Sequence, residues 1–523
     1  MPDGTTPVGF RRLLKGAAIL SAARLLSTAF GISVLILIAT AFDASSSTDA
    51  YFVAHSISFL FTGALESCLS LAFVPAFIHL REKEGEDAAW RLAMGLVRSV
   101  LLALCFCVLA IVFVAPFLAR HLAPGFDDTT VHTAVRLIRI MAPIMPVVFL
   151  GVFLSTMEFI GGRFLLPAVA MVLQALAGPL ALLLFAESFG VDALAGGIVV
   201  GVFARCVVLM VGFRQKSRFY GPAARLRDPA MLQLGRTMAA RLLTTWFVEL
   251  NLIVDRFFAS TLGPGYVSYL AFASRAVTAL VRLVMMPLGR VLMPALSQLA
   301  VQGQHERMRK LLTRIVGLVG FLVIPLTIYL AGFRHDVLQF FLQRGSFAAD
   351  SVNLTAYALL FYSLGIVPFL LTPLLNGSFF AMQKTAVPLK IGAIAVGANV
   401  ICDVVLMRFL GHGGIALATS IVGALRAVLL WDALRRRIGV LDSVSIMRSF
   451  TMSIISSCVA LWFVNLINRL VPSLELPGGL FAELTLYAVE GLVIYLGLQA
   501  ILNRPALRQV TLLLRQRRSS SSV

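Results

Sequence analysis

Residues 258–297 read FASTLGPGYVSYLAFASRAVTALVRLVMMPLGRVLMPALS, and this stretch decides the architecture. It opens on a Gly/Pro turn, TLGPG at 261–265, and continues as one apolar run over about 266–298. About 20 apolar residues in a helix cross a bilayer, so this run is long enough to span. It nevertheless carries Arg275, Arg282 and Arg290, spaced seven and eight apart. At 3.6 residues per turn that spacing puts all three on roughly one helical face. A cationic stripe inside a membrane span is expensive, and such charges are kept for a function or a partner.

The rest of the chain has the same character. Of 523 residues, 59% are hydrophobic and only 13% charged, with a mean hydropathy of +0.92. Charged residues run near a quarter of an ordinary soluble protein, so a soluble enzyme is excluded. Apolar segments fall near 15–42, 49–80, 91–119, 131–159, 164–187, 190–213 and 232–262. The series continues at 266–298, 311–333, 351–381, 385–410, 413–434, 446–470 and 480–502. The expectation is an all-α polytopic membrane protein of about 14 transmembrane helices. The basic N-terminus precedes an apolar segment longer than a signal h-region and without a small-residue cleavage site, so the first helix is expected to be retained.

Loop charge supports that count. One side of the membrane receives Arg11, Arg12 and Lys15, Arg81 and Lys83, Arg163, the run Arg214–Arg227, Arg307–Arg314, Lys384, Arg435–Arg437 and the tail Arg508–Arg518. The other receives FDASSSTD, HLAPGFDD, AESFGVD, TLGPG and SLELPGG, with Arg120, Arg334, Arg344, Arg408 and Arg469 scattered among them. Positive charge marks the cytoplasmic side, so both termini are expected inside. Topology thus accounts for most of the net +19, and nucleic acid is not the expected partner. None of the six cysteines forms a CxxC pair, and all are read as packing residues.

The halves repeat. AFVPAF at 72–77 matches VLMPAL at 291–296, placing Pro75 and Pro294 219 residues apart. Pro146 with Pro368 and Pro167 with Pro388 continue the match at 222 and 221. A shift of six helices leaves both copies pointing the same way, related by an axis along the membrane normal, which is a transporter architecture. The expected domains are therefore 1–222 (helices one to six), 223–440 (seven to twelve) and 441–523, the last two helices and a basic tail.

Ionisable residues within these spans are the candidate functional groups. The first span carries Arg24, the second Glu66, the seventh Arg241, Glu249, Asp255 and Arg256, and the eighth the arginine stripe. Arginine matches phosphate geometry bidentately, so the stripe reads as a cavity lined for a phosphate-bearing substrate. Pairing with Glu249, Asp255 or Glu66 is the alternative. Asn399 and Asp403 lie four apart on one face, and with Asp255 and Thr419 they have the oxygen chemistry of a sodium site. Ion pairing of Asp403 with Arg408 or Arg426 accounts for the spacing equally well. No Walker loop, HExxH or GxSxG is present, and catalysis is not expected.

Several stretches resemble the MurJ/MviN family of lipid II flippases, within the multidrug/oligosaccharidyl-lipid/polysaccharide exporter superfamily. They are TDAYFVA at 48–54, LAFVPAF at 71–77, KEGED at 83–87, APGFDD at 123–128, FASTLGPGYVSYLAFASR at 258–275, MPALS at 293–297, QRGSF at 343–347 and KTAVPLK at 384–390. The resemblance implies two six-helix lobes around a cationic cavity, with helices thirteen and fourteen forming a groove for a lipid tail. It also implies alternating access for a polyprenyl-diphosphate-linked sugar in a bacterial inner membrane. By the same resemblance Arg275 matches a cavity arginine, Asp49 and Glu66 match acidic positions on helix two, and Asp255, Asn399, Asp403, Ile415 and Thr419 match a sodium site. Na+ as coupling ion is then the expectation, with no other cofactor, membrane lipids as surroundings and a monomer as the assembly.

The chain also departs from that pattern. Where family members carry two arginines on helix one and one on helix two, it has Thr28, Val34 and Thr62 or Gly63. Arg24 lies one turn before Thr28 and Arg282 adds a charge on helix eight. The expected substrate set is Arg24, Asp49, Glu66, Arg275 and Arg282, gripping a diphosphate mainly from the second lobe. A flippase for another polyprenyl-linked glycan is the runner-up. An ion-coupled drug exporter and a scaffold without transport are the remaining alternatives, the first disfavoured by a cavity richer in Arg than in acid.

Overall fold

The computed structural model describes residues 10–60, 62–213, 218, 221–225, 227–382, 384–439, 442–470 and 479–503. Among them the ordered elements are helices. The first group comprises α1 (Phe10–Phe42), α2 (Ser46–Phe59), α3 (Thr62–Cys68), a π-helical turn (Leu69–Phe73), α4 (Val74–Glu84) and α5 (Glu86–Leu122). Then come α6 (Asp128–Met141), α7 (Ile144–Ile160), α8 (Leu165–Phe189), α9 (Val191–Gly212), α10 (Pro229–Ser260) and α11 (Tyr266–Val301). The chain continues with α12 (His305–Gly332), α13 (Arg334–Leu342), α14 (Ala349–Ser363), α15 (Ile366–Ala381), α16 (Ala386–Leu410) and α17 (His412–Ile438). It closes with α18 (Ser443–Leu470) and α19 (Gly479–Leu502). The side chains of Arg241 and Arg290, the loop 214–217 and the basic tail from 504 lie outside the described residues.

Among the described residues, eleven segments are long and apolar enough to cross a membrane, and α14 with α15, bent by 46°, make a twelfth. The expected spans that do not meet this criterion are the second and the seventh. The second, expected as one helix at 49–80, is instead α2, α3, the π turn and α4 in succession. The seventh, α10, is continuous but carries Arg236, Arg241, Glu249, Asp255 and Arg256.

The repeat is visible in the helix boundaries themselves. α8 and α16 begin at 165 and 386 and end at 189 and 410, each 221 apart. Each is followed by a glycine at φ 55°, Gly190 and Gly411, a left-handed conformation that ends a helix at no steric cost only in glycine. The fourth and tenth spans are both broken, α6 from α7 at Ala142–Pro143 and α14 from α15 at Leu364–Gly365.

Contacts divide the chain into two units: Met1–Ser268 with Gly345–Phe347, and Tyr269–Arg344 with Ala348–Val523. α10 thus packs with the first six spans, although the repeat boundary in the sequence falls before it. Ser346 joins the first unit by donating its backbone N–H to the Thr40 carbonyl at 2.8 Å.

Within the first unit α9 lies directly on α8, and Gly197 and Gly201 permit it. A methyl at Gly201 would stand 2.7 Å from the Gln174 carbonyl oxygen and 2.8 Å from Ala177 Cβ. Lipid offers no hydrophobic drive between helices, so this close approach is what dispersion contact requires. In the second unit α18 and α19 pack on α12 through Phe321, Ala460 and Tyr495. The Tyr495 hydroxyl donates to the Phe321 carbonyl at 2.7 Å, satisfying a polar group in an apolar setting. Phe113 and Leu102 on α5 are 80% and 75% exposed, as side chains solvated by lipid would be.

Candidate functional site

Asp49, in the first turn of α2, is fully buried. Its carboxylate accepts the backbone N–H of Gly265 at 2.6 Å and of Ser268 at 2.7 Å, and also the Ser268 hydroxyl. The Ser268 N–H lies in the first turn of α11 and the Gly265 N–H just before it, where no backbone carbonyl of the helix can accept either. A Ser or Asp at the helix start would normally supply the acceptor, and Gly265 has no side chain to do so. Asp49 therefore caps a helix 216 to 219 residues away. Close by, the Arg256 guanidinium of α10 donates to the Phe52 carbonyl of α2. Asp255 and Arg256 are both buried.

The two remaining first-unit candidates differ from Asp49. Arg24 on α1 and Glu66 on α3 are exposed. A methyl at Gly63, one turn before Glu66, would lie 3.9 Å from Glu249 Oε1, so α3 turns this face to α10. On α11, Arg275 is half-buried and Arg282 exposed. The stripe thus runs from a packed position to an open one.

The second constellation assembles on the α16–α17 pair. Asn399 and Asp403 are fully buried, and the Asn399 amide nitrogen donates to Asp403 Oδ2 at 2.8 Å. That bond fixes the amide with its oxygen turned away from the carboxylate. On α17 the Thr419 hydroxyl donates to the Ile415 carbonyl at 3.1 Å, and Ile415 is fully buried. The donor set of carboxylate, amide, hydroxyl and backbone carbonyl oxygens fits a hard monovalent cation. Asp255 belongs to the first unit, so four of the five expected ligands share one unit. No group of three His, Cys, Asp or Glu able to hold a metal exists among the described residues.

The structure adds one cation that the sequence reading passed over. Arg205 on α9 donates to Gln174 Oε1 of α8 at 2.9 Å and to Ser155 Oγ of α7 at 3.2 Å. Its signal in the sequence is a lone Arg in the apolar run GVFARCVVLM, with no second charge in that run to mark it. Arg426 on α17 stands 221 residues later at the same register.

The family model described as "Lipid II flippase MurJ" matches residues 38–483. A lipid II flippase MurJ of Burkholderia cenocepacia is 29% identical over 439 residues, covering 82% of this chain and 84% of that protein. A solved lipid II flippase MurJ in an inward closed conformation superposes with a TM-score of 0.76 at 19% identity, over 94% of this chain and all of that one. An inward-facing multidrug resistance MATE transporter of the MOP superfamily gives 0.66 at 15% identity, over 82% of this chain and 99% of its own. At these identities the two structures speak for the fold.

Proposed function

Because this chain belongs to the MurJ family of lipid II flippases, we propose that it carries lipid II, a polyprenyl-diphosphate-linked peptidoglycan precursor, from the inner to the outer leaflet for cell-wall synthesis. It works by alternating access, as a monomer in the bacterial inner membrane with both termini cytoplasmic, and makes or breaks no covalent bond. The observation that carries this reading is Arg275, half-buried in a span at the end of the stretch FASTLGPGYVSYLAFASR that resembles the family. A guanidinium at membrane depth is well matched to a diphosphate and poorly matched to a cationic drug.

Arg275 and Arg282 grip the diphosphate. Asp49 acts differently: its cap ties the outer end of the second span to that of the eighth, and releasing substrate outward requires that tie to open. Na+ held by Asn399, Asp403, Thr419 and the Ile415 carbonyl supplies the coupling. One observation favours the second reading, another polyprenyl-linked glycan: Thr28, Val34 and Thr62 or Gly63 stand where the family resemblance leads one to expect arginines. Transport of purified lipid II and of a polyprenyl-diphosphate-linked oligosaccharide into the outer leaflet of proteoliposomes separates the two. Movement of the oligosaccharide alone would replace the first reading with the second.

A further inference from the structure

Arg205 sits in a membrane span, where a charged side chain is expensive unless paired. Its two acceptors, Gln174 and Ser155, are both neutral. Its Nε is buried and has no hydrogen-bond partner. No carboxylate lies within ion-pair distance of it among the described residues, and Glu66 acts on it only through its field. The half-buried positive charge is therefore held by neutral acceptors.

The chemistry left over around it is of one kind. Gln174 spends its oxygen on Arg205, which leaves its NH2 group as donor. Ser155 already donates its hydroxyl proton to the Gly151 carbonyl at 2.8 Å, so its oxygen serves only to hold the guanidinium in place. The remaining capacity, the Arg205 N–H groups and the Gln174 amide, consists of donors, which suits an anion and rejects a metal cation. The second repeat keeps the charge but not the cradle. Arg426 also has a buried Nε without a partner, while Ala395 stands at the register of Gln174.

We propose that Arg205, positioned by Ser155 and assisted by the Gln174 amide, is a first-unit site for the diphosphate of the lipid-linked substrate. The proposal rests on the lipid-flippase reading above and adds a residue to it. It also alters the asymmetry: beside Arg24 on the first span, the first lobe has a cation on the sixth.

The test titrates the full-length chain, in nanodiscs of phosphatidylcholine, with undecaprenyl diphosphate, undecaprenol and inorganic diphosphate. Wild type is compared with Arg205→Gln and Gln174→Glu. The second variant places a carboxylate where Arg205 already donates, so a purely structural arginine would tolerate it or gain from it. The expected result is at least a tenfold loss of undecaprenyl diphosphate affinity in both variants, about 1.4 kcal/mol, with undecaprenol binding unchanged and Gln174→Glu melting no lower than wild type. Wild-type diphosphate affinity in either well-folded variant would overturn the site, and so would failure of wild type to bind either diphosphate compound. Loss of lipid binding in Arg275→Gln with retention in Arg205→Gln sinks this proposal and leaves the flippase reading intact. Arg205-dependent binding of inorganic diphosphate without any lipid binding sustains the anion site and sinks the lipid reading.

Discussion

Replacing Asp49 by alanine removes three hydrogen bonds at once and gives the most sharply defined stability prediction. The carboxylate accepts from Gly265 N at 2.6 Å, from Ser268 N at 2.7 Å and from the Ser268 hydroxyl. The hydroxyl can turn elsewhere, but the two backbone donors are fixed at the start of α11. Each buried donor left without a partner costs about 1–3 kcal/mol, and loss of a helix cap alone costs about 0.5–2 kcal/mol. The terms overlap, so the working figure is about 3 kcal/mol. At about 2–4 °C per kcal/mol for a large chain, Asp49→Ala should melt about 6–12 °C lower, read by tryptophan fluorescence in detergent. Asp49→Asn keeps one carbonyl acceptor and should lose about half as much. An Asp49→Ala protein melting within about 1 °C of wild type would show that α11 does not depend on this cap.

Other perturbations follow from the same geometry. Arg275→Ala should express and insert normally yet abolish outer-leaflet delivery of lipid II, and normal delivery would remove the arginine from the substrate site. If Asn399, Asp403 and Thr419 hold sodium, the wild type should melt higher in sodium than in choline chloride, since a ligand bound only by the folded state stabilises it. Asp403→Asn should erase that difference, and its persistence would refute the site. Gly201→Leu drives a side chain into the Gln174 carbonyl, 2.7 Å from the first added carbon, so it should destabilise by about 1–3 kcal/mol or more, seen as lost yield of monodisperse protein. Tyr495→Phe removes the bond to Phe321 and should cost about 1–3 kcal/mol in melting assays, because the carbonyl stays buried.

Much of the fold was legible because hydrocarbon allows few solutions: a chain this apolar must satisfy its backbone inside helices, and run length then marks the spans. The repeat was legible from prolines, and the structure carries it into matched glycine ends at Gly190 and Gly411 and matched breaks after Met141 and Ser363. The second span escaped this logic because periodicity cannot announce a π turn at Leu69–Phe73. Its polar face lacks the uniform hydropathy of a lipid-facing helix, and so does that of α10. The Asp49 cap was also hidden, since its partner is 219 residues away. The clue was a helix beginning just after Gly265, with no capping side chain at that glycine. Arg205 escaped for a different reason, being a single charge whose acceptors come from two other helices.

The central claim is that this chain moves lipid II across a bacterial membrane. The most direct measurement places it in cells depleted of their own lipid II flippase and quantifies lipid II accessible at the outer leaflet, with Arg275→Ala beside it at equal membrane abundance. The account predicts restored outer-leaflet lipid II and growth with the wild type and neither with the variant. Correctly inserted wild-type protein that restores no outer-leaflet lipid II would contradict it.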